Sequence, residues 1–195
     1  MTTEQVTFNI RPAKPEDAAE VAPLMYDAME DIAHTISGTT DLPATLDALE
    51  ELFRLDHGRL SFTQTLICEG EDGRIAGFLL SYGGDDAESL DEPLLRRLRE
   101  SGLPTDGLVP EARPGEFYLD SLAVSGAHRG SGIGTRLIEA FEQRAAAQGW
   151  KQTMLVVERE NLKARALYER LGYREDGFIE LSGHVYDRMV KSIES

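Results

Sequence analysis

Only one of the 195 residues is a cysteine, Cys68, so no disulfide can form within the chain and no thiolate cluster can bind a metal. The four histidines, His34, His57, His128 and His184, are far apart in sequence. None pairs with another at the spacing that places two ligands on one helix face, so no metal site is expected. No apolar run approaches the roughly 20 residues that a membrane span needs. Met1 to Val6 has neither a basic n-region nor an apolar h-region, and the expectation is a cytoplasmic protein with no membrane partner. Basic residues are scarce: 20 Lys and Arg stand against 35 Asp and Glu, a formal net charge of -15. A surface this acidic repels a phosphate backbone, which argues against nucleic acid. It attracts cations, or serves solubility alone.

What is present suffices for one packed domain spanning 1–195, with 41% hydrophobic residues. Val6 to Arg11 alternates as a strand, and Pro15-Glu16-Asp17 opens a helix with apolar positions at Val21, Leu24, Met25, Met29 and Ile32. Leu42 to Leu55 has a second helical pattern. Thr65–Glu69 and Arg74–Ser81 read as a hairpin about Glu71-Asp72-Gly73. Residues 83–114 read as a surface insertion with one short helical stretch at Pro93–Ser101. Over 83–116 there are nine acids and four arginines, a local net of -5, which suits either a substrate-selecting lid or a plain solvated excursion. Glu116–Val124 is a strand, Gly132–Gly149 a helix, Gln152–Glu158 a strand and Asn161–Leu171 a helix. Tyr173–Glu180 and His184–Val190 close the chain as a hairpin about Ser182-Gly183.

The segment with the most chemical content is the strand end Leu122-Ala123-Val124 followed by Arg129-Gly130-Ser131-Gly132-Ile133-Gly134. A glycine-rich loop running into a helix presents consecutive main-chain amides to an anion, and glycines remove the Cβ atoms that block close approach. A mononucleotide loop requires Gly-Lys-Ser/Thr, and no lysine follows these glycines. A dinucleotide fingerprint requires Gly-x-Gly-x-x-Gly, whereas Gly130, Gly132 and Gly134 are spaced by twos.

The spacing resembles the Arg/Gln-x-x-Gly-x-Gly/Ala signature of the GNAT superfamily of acetyltransferases, matched at Arg129, Gly132 and Gly134. A second stretch, Asn161-x-x-Ala164-x-x-Leu167-Tyr168-x-x-x-Gly172-Tyr173, resembles that family's other hallmark. The likeness is strongest over about 116–173. It implies an α/β (α+β) domain: a mixed central sheet of about six or seven strands, splayed between strands four and five and flanked by about four helices. It also implies acetyl-CoA as cosubstrate, held by Leu122, Ala123, Val124, the loop residues Arg129, Gly130, Ser131, Gly132, Ile133 and Gly134, and by Asn161, Ala164 and Tyr168. In relatives the tyrosine matching Tyr168 faces the coenzyme A sulfur and protonates the departing thiolate. The Val124 amide is expected to polarise the thioester carbonyl. Asn161 also suits a helix cap.

Acetylation of an amine needs the neutral amine, and an alkylamine with a pKa of roughly 10.4 must first lose a proton. Glu116, Tyr118, Asp120, Leu122 and Val124 alternate onto one strand face, which makes Asp120 the first candidate base, Glu116 the second and Glu69 a remote third. The expected reaction is direct acetyl transfer to a primary amine, a small cationic one before others. Protein N-terminal or lysine acetylation and a non-catalytic coenzyme A sensor stand as alternatives. The resemblance leaves room for a homodimer, but no stretch of sequence marks an interface.

Overall fold

The computed structural model describes residues 8–29, 31–106, 110–181 and 183–193. In chain order the elements are β1 (Asn9–Pro12), α1 (Ala18–Met29), α2 (Asp31–Ser37), α3 (Leu42–Phe53), β2 (Thr65–Glu69), β3 (Ile75–Gly83) and α4 (Ala87–Glu100). Then follow β4 (Phe117–Val124), α5 (Ile133–Ala147), β5 (Gln152–Glu158), α6 (Leu162–Arg170), β6 (Arg174–Leu181) and β7 (His184–Ser192). The seven strands form one mixed sheet in the order β1-β2-β3-β4-β5-β7-β6, with β4 and β5 the parallel pair. Val6 and Thr7 of the expected first strand, and Ser182 of the expected closing turn, lie outside the described residues.

Strand alternation divides the core in two. β2 sends Ile67 into one core and Leu66 and Cys68 into the other; β4 sends Tyr118 into the first and Phe117 and Leu119 into the second. The first core is filled by α1, α2, α3 and α4, the second by α5. β3 is buried along its whole length and therefore reads as a continuous apolar run. In α5 the buried face is Ile133, Leu137, Ile138, Phe141 and Ala145, with Phe141 stacked on Phe117 at 5.2 Å. Cys68 is fully buried, and burial pushes its thiol up, which fits packing rather than chemistry.

Six α-helices occur among the described residues. The first expected helix is described as α1 and α2, on either side of position 30, which lies outside the described residues. The reading of 83–114 as a surface insertion needs correction. Its helix is 14 residues long and buries Leu90, Leu94 and Leu98 against α3 and the α3–β2 connection in the first core. Those leucines recur every fourth residue, but the charges around them mask the stripe.

A second correction concerns β4. Its register with β3 steps from Leu80↔Ser121 to Ser81↔Leu119, which leaves Asp120 as the extra residue of a β-bulge. Alternation therefore changes phase there. Tyr118 packs in the first core, while Leu122 and Val124 pack against the second, so the five residues expected on one face do not share it. The bulge turns Asp120 out of the ladder and into the space described next.

Candidate active site

β4 and β5 pair only at Phe117↔Thr153, Tyr118↔Met154 and Leu119↔Leu155. Beyond that point β4 stays with β3 as far as Gly77↔Val124, and β5 stays with β7 as far as Glu158↔Tyr186. The two strands part, as the splay expected of the sheet requires. A cavity of about 430 Å³ occupies the opening. Its walls are Asp120, Ser121 and Leu122 on one side and Val156, Val157 and Glu158 on the other; Ile32 and Ile36 of α2 and Leu94 of α4 lie across the space between them.

The Ser125 amide donates to the Ala76 carbonyl at 2.9 Å. In an antiparallel ladder hydrogen-bonded pairs alternate with non-bonded pairs. The main-chain groups of Val124, one residue earlier, therefore point away from β3 into the gap that β5 leaves. The Val124 carbonyl indeed accepts from Arg129 Nε at 3.3 Å, which ties the loop to the strand end.

The loop itself is open. Arg129, Gly130, Ser131 and Gly132 are exposed. Gly130 and Gly132 have φ of 82° and 85°, and a Cβ at either would meet nothing within 4 Å. Glycine is thus required there by backbone conformation, and the volume in front of the loop is free. Gly132 is the N-cap of α5, so the first-turn amides from Ile133 onward have no acceptor inside the helix. Gly134 faces Leu122, whose Cδ2 would lie 3.9 Å from an added Cβ, linking the loop to the cavity wall. His128 is not at the loop's open side: its Nδ1 bonds the Ser125 hydroxyl at 2.8 Å and its ring stands edge-on to Phe8.

Asn161, Ala164 and Tyr168 all line the cavity from α6. Asn161 Oδ1 accepts the Ala164 amide at 3.1 Å, the helix cap expected of it. The Tyr168 ring packs against Tyr173, burial pushes its hydroxyl up to about 12, and that hydroxyl has no protein acceptor or donor among the described residues. Two arginines converging on buried Asp187 hold α6 in place: Arg159 Nη2 at 2.7 Å, and Arg165, which reaches it from the helix.

The expected bases are treated differently by the fold. Asp120 lines the cavity, but both of its oxygens accept protein donors: Oδ2 from Arg59 Nη2 at 2.6 Å and from the Tyr82 hydroxyl at 3.1 Å, Oδ1 from the Ser121 hydroxyl at 2.8 Å. Glu116 is corrected outright. Its carboxylate is buried away from the cavity, taking Arg188 Nη2 at 2.5 Å and the Arg113 amide at 2.7 Å, so it anchors the start of β4. Glu69 pairs with Arg11 at 3.0 Å at the β1–β2 edge of the sheet and is not among the residues that line the cavity.

A model of the acetyltransferase (GNAT) family matches residues 26–173. The chain belongs to the GNAT family. It is 33% identical over 173 residues to a Bacillus subtilis (strain 168) protein named uncharacterized N-acetyltransferase YhfO, a match covering 88% of this chain and 94% of that one. A solved structure described as an acetyltransferase superposes with a TM-score of 0.81 at 30% identity, covering 95% of this chain and all of the other. An N-acetyltransferase from Staphylococcus aureus Mu50 superposes with a TM-score of 0.78 at 26% identity, over 94% of this chain and all of that one.

The family signature carries no sign of the polar group on the acetyltransferase's other cavity wall. Arg59, in the α3–β2 connection, has its amide fixed by the Leu90 carbonyl at 2.8 Å. Its guanidinium reaches Asp120, Asp91 at 3.3 Å and Glu111 at 3.6 Å, and it lies over the Tyr82 ring at 5.5 Å. Three carboxylates around it hold it protonated even though burial opposes its charge. Glu111 accepts a hydrogen bond from the Tyr118 hydroxyl and lines the cavity. Burial and the nearby Asp120 charge push its carboxyl up to about 7, against the opposing pull of Arg59 and Tyr118. Only its position in an acidic segment ahead of β4 hinted at a role.

Proposed function

We infer that this N-acetyltransferase uses acetyl-CoA, and that the open loop from Arg129 to Gly134 grips the diphosphate of the cofactor. The observation that carries this is the exposed pair of left-handed glycines at the start of α5, opening beside a strand end whose amides face the gap between β4 and β5. On this reading the pantetheine arm enters that gap against Leu122, Ala123 and Val124, and passes Asn161 and Ala164. The Val124 amide stands ready for the developing negative charge on the thioester oxygen. Tyr168, still protonated throughout the neutral range, supplies a proton to the departing sulfur.

The acceptor is a small cationic amine. Asp27, Glu111, Asp120 and Glu158 line the cavity against the single guanidinium of Arg59. With α2 and Leu94 across the opening and the pantetheine arm filling part of the space of about 430 Å³, what remains fits a compact amine better than an extended peptide. Thiol release from acetyl-CoA, measured across polyamines, aminoglycosides and peptides, tests this. Turnover is expected with the compact polycations. Turnover restricted to peptides would favour protein acetylation, and binding of acetyl-CoA with no turnover would favour a sensor.

A further inference from the structure

We propose that Glu111, rather than Asp120, takes the proton from the acceptor amine, with Arg59 and Tyr118 as positioning residues. This rests on the acetyl-transfer reading above and adds the residue that makes the amine nucleophilic.

Four carboxylates line the cavity, and three are poorly placed to accept a proton. Asp120 has both oxygens occupied by Arg59, Tyr82 and Ser121. Glu158 is 39% exposed at the hairpin end, against 15% for Glu111, so water rather than the cavity surrounds it, and His184 Nδ1 lies 2.7 Å from its Oε1. Asp27 is exposed on α1. Glu111 differs: the Tyr118 hydroxyl binds Oε2, while Oε1 has only the Arg59 contact at 3.6 Å, too long for a hydrogen bond. One oxygen is therefore oriented from behind and the other remains able to receive a proton.

The charged and titratable groups around Glu111 are Arg59 from the α3–β2 connection, Asp91 of α4, Tyr82 of β3, and Tyr118 and Asp120 of β4. Arg188 of β7 holds the Glu111 carbonyl at 2.7 Å and fixes the backbone. Burial and the Asp120 charge make the carboxylate a stronger base than a solvated glutamate, and its value near 7 suits proton transfer at neutral pH. Asp120 thus acts on Glu111 through the field and through Arg59, without touching the proton.

The ammonium gives one proton to Glu111, and the freed nitrogen lone pair forms the C–N bond at the thioester carbonyl. The C–S bond breaks, the sulfur keeps the electron pair and takes a proton from Tyr168. The second nitrogen proton leaves to solvent, which also reprotonates Tyr168 and deprotonates Glu111.

The test uses the full-length chain with acetyl-CoA and the best amine from the panel, following kcat/KM from pH 5.5 to 9. In the wild type kcat/KM is expected to rise through an inflection near pH 7. E111Q is expected to lose that inflection and at least about 100-fold in kcat at pH 7.5, while its acetyl-CoA affinity by calorimetry stays within about twofold. E111D, with a shorter carboxylate, should restore the inflection and part of the rate. A wild-type inflection that survives unchanged in E111Q, with near-normal kcat, overturns the assignment and leaves the acetyltransferase reading intact. Failure of the wild type to bind acetyl-CoA overturns both. Should E111Q not fold, the Glu111 side-chain carboxyl signal in the wild-type NMR spectrum decides: a midpoint near 7 supports the base, and a midpoint near 4.5 overturns it.

Discussion

Arg59 Nη2 lies 2.6 Å from Asp120 Oδ2, joining the α3–β2 connection to the bulged residue of β4 at the edge of the cavity. Both side chains are about nine-tenths covered. The ion pair is thus a structural tie between the first core and the strand that carries the reaction gap.

Removing its cation should be costly. Arg59→Met keeps the aliphatic stem but leaves Asp120, Asp91 and Glu111 close together without a counter-charge. Loss of one partner of a buried pair typically costs about 3–5 kcal/mol. Denaturant unfolding should show a loss in that range at pH 8 and a smaller one at pH 5, where Glu111, raised to about 7, is protonated and adds no negative charge to the cluster. A change below about 1 kcal/mol at pH 8 would mean that the cluster is effectively solvated.

Glu111 gives a stability signature with a defined sign. Its carboxyl is raised from 4.5 to about 7, so the folded chain holds this proton more tightly than the unfolded chain. Its contribution is fully present below about pH 4.5 and is lost as pH rises through about 7. Wild-type stability should therefore carry a falling component across that window, at most about 1.4 kcal/mol per pH unit. E111Q should lack it. Equal pH slopes in the two proteins would contradict the environment assigned to Glu111.

Tyr168 is expected to act on the leaving group rather than on affinity. Tyr168→Phe keeps the ring against Tyr173 and removes only the hydroxyl. Its kcat should fall about 10- to 100-fold, with acetyl-CoA binding by calorimetry nearly unchanged. Wild-type kcat in the variant would remove Tyr168 from the chemistry.

Local signals were legible in the sequence. The glycine loop, the α5 stripe and the Asn161 cap lie within short windows, where turn chemistry and periodicity act directly. Residues 83–114 misled because a leucine stripe was set among eight acids and four arginines, so composition argued for solvent where Leu90, Leu94 and Leu98 argue for core. Asp120 lay on the expected strand, but the bulge that turns it is a property of pairing with β3, and no window of β4 alone contains that. Arg59 and Glu111 are 52 positions apart and meet only through tertiary packing. For Glu116 the sequence supplied a carboxylate near the right strand, and its partner Arg188, 72 positions away, decided its role.

On the proposed reading, the amides between Arg129 and Gly134 hold the diphosphate of coenzyme A. Calorimetric titration of coenzyme A into the wild type and Gly132→Asp tests it most directly, since the new side chain projects into open space in front of the loop. A left-handed aspartate costs about 1–2 kcal/mol of stability, and circular dichroism will report whether the variant stays folded. The expected result is tight binding by the wild type and at least about a 100-fold loss in the folded variant, since a carboxylate there repels the diphosphate. Equal affinity in a folded Gly132→Asp would mean that the diphosphate does not sit on this loop.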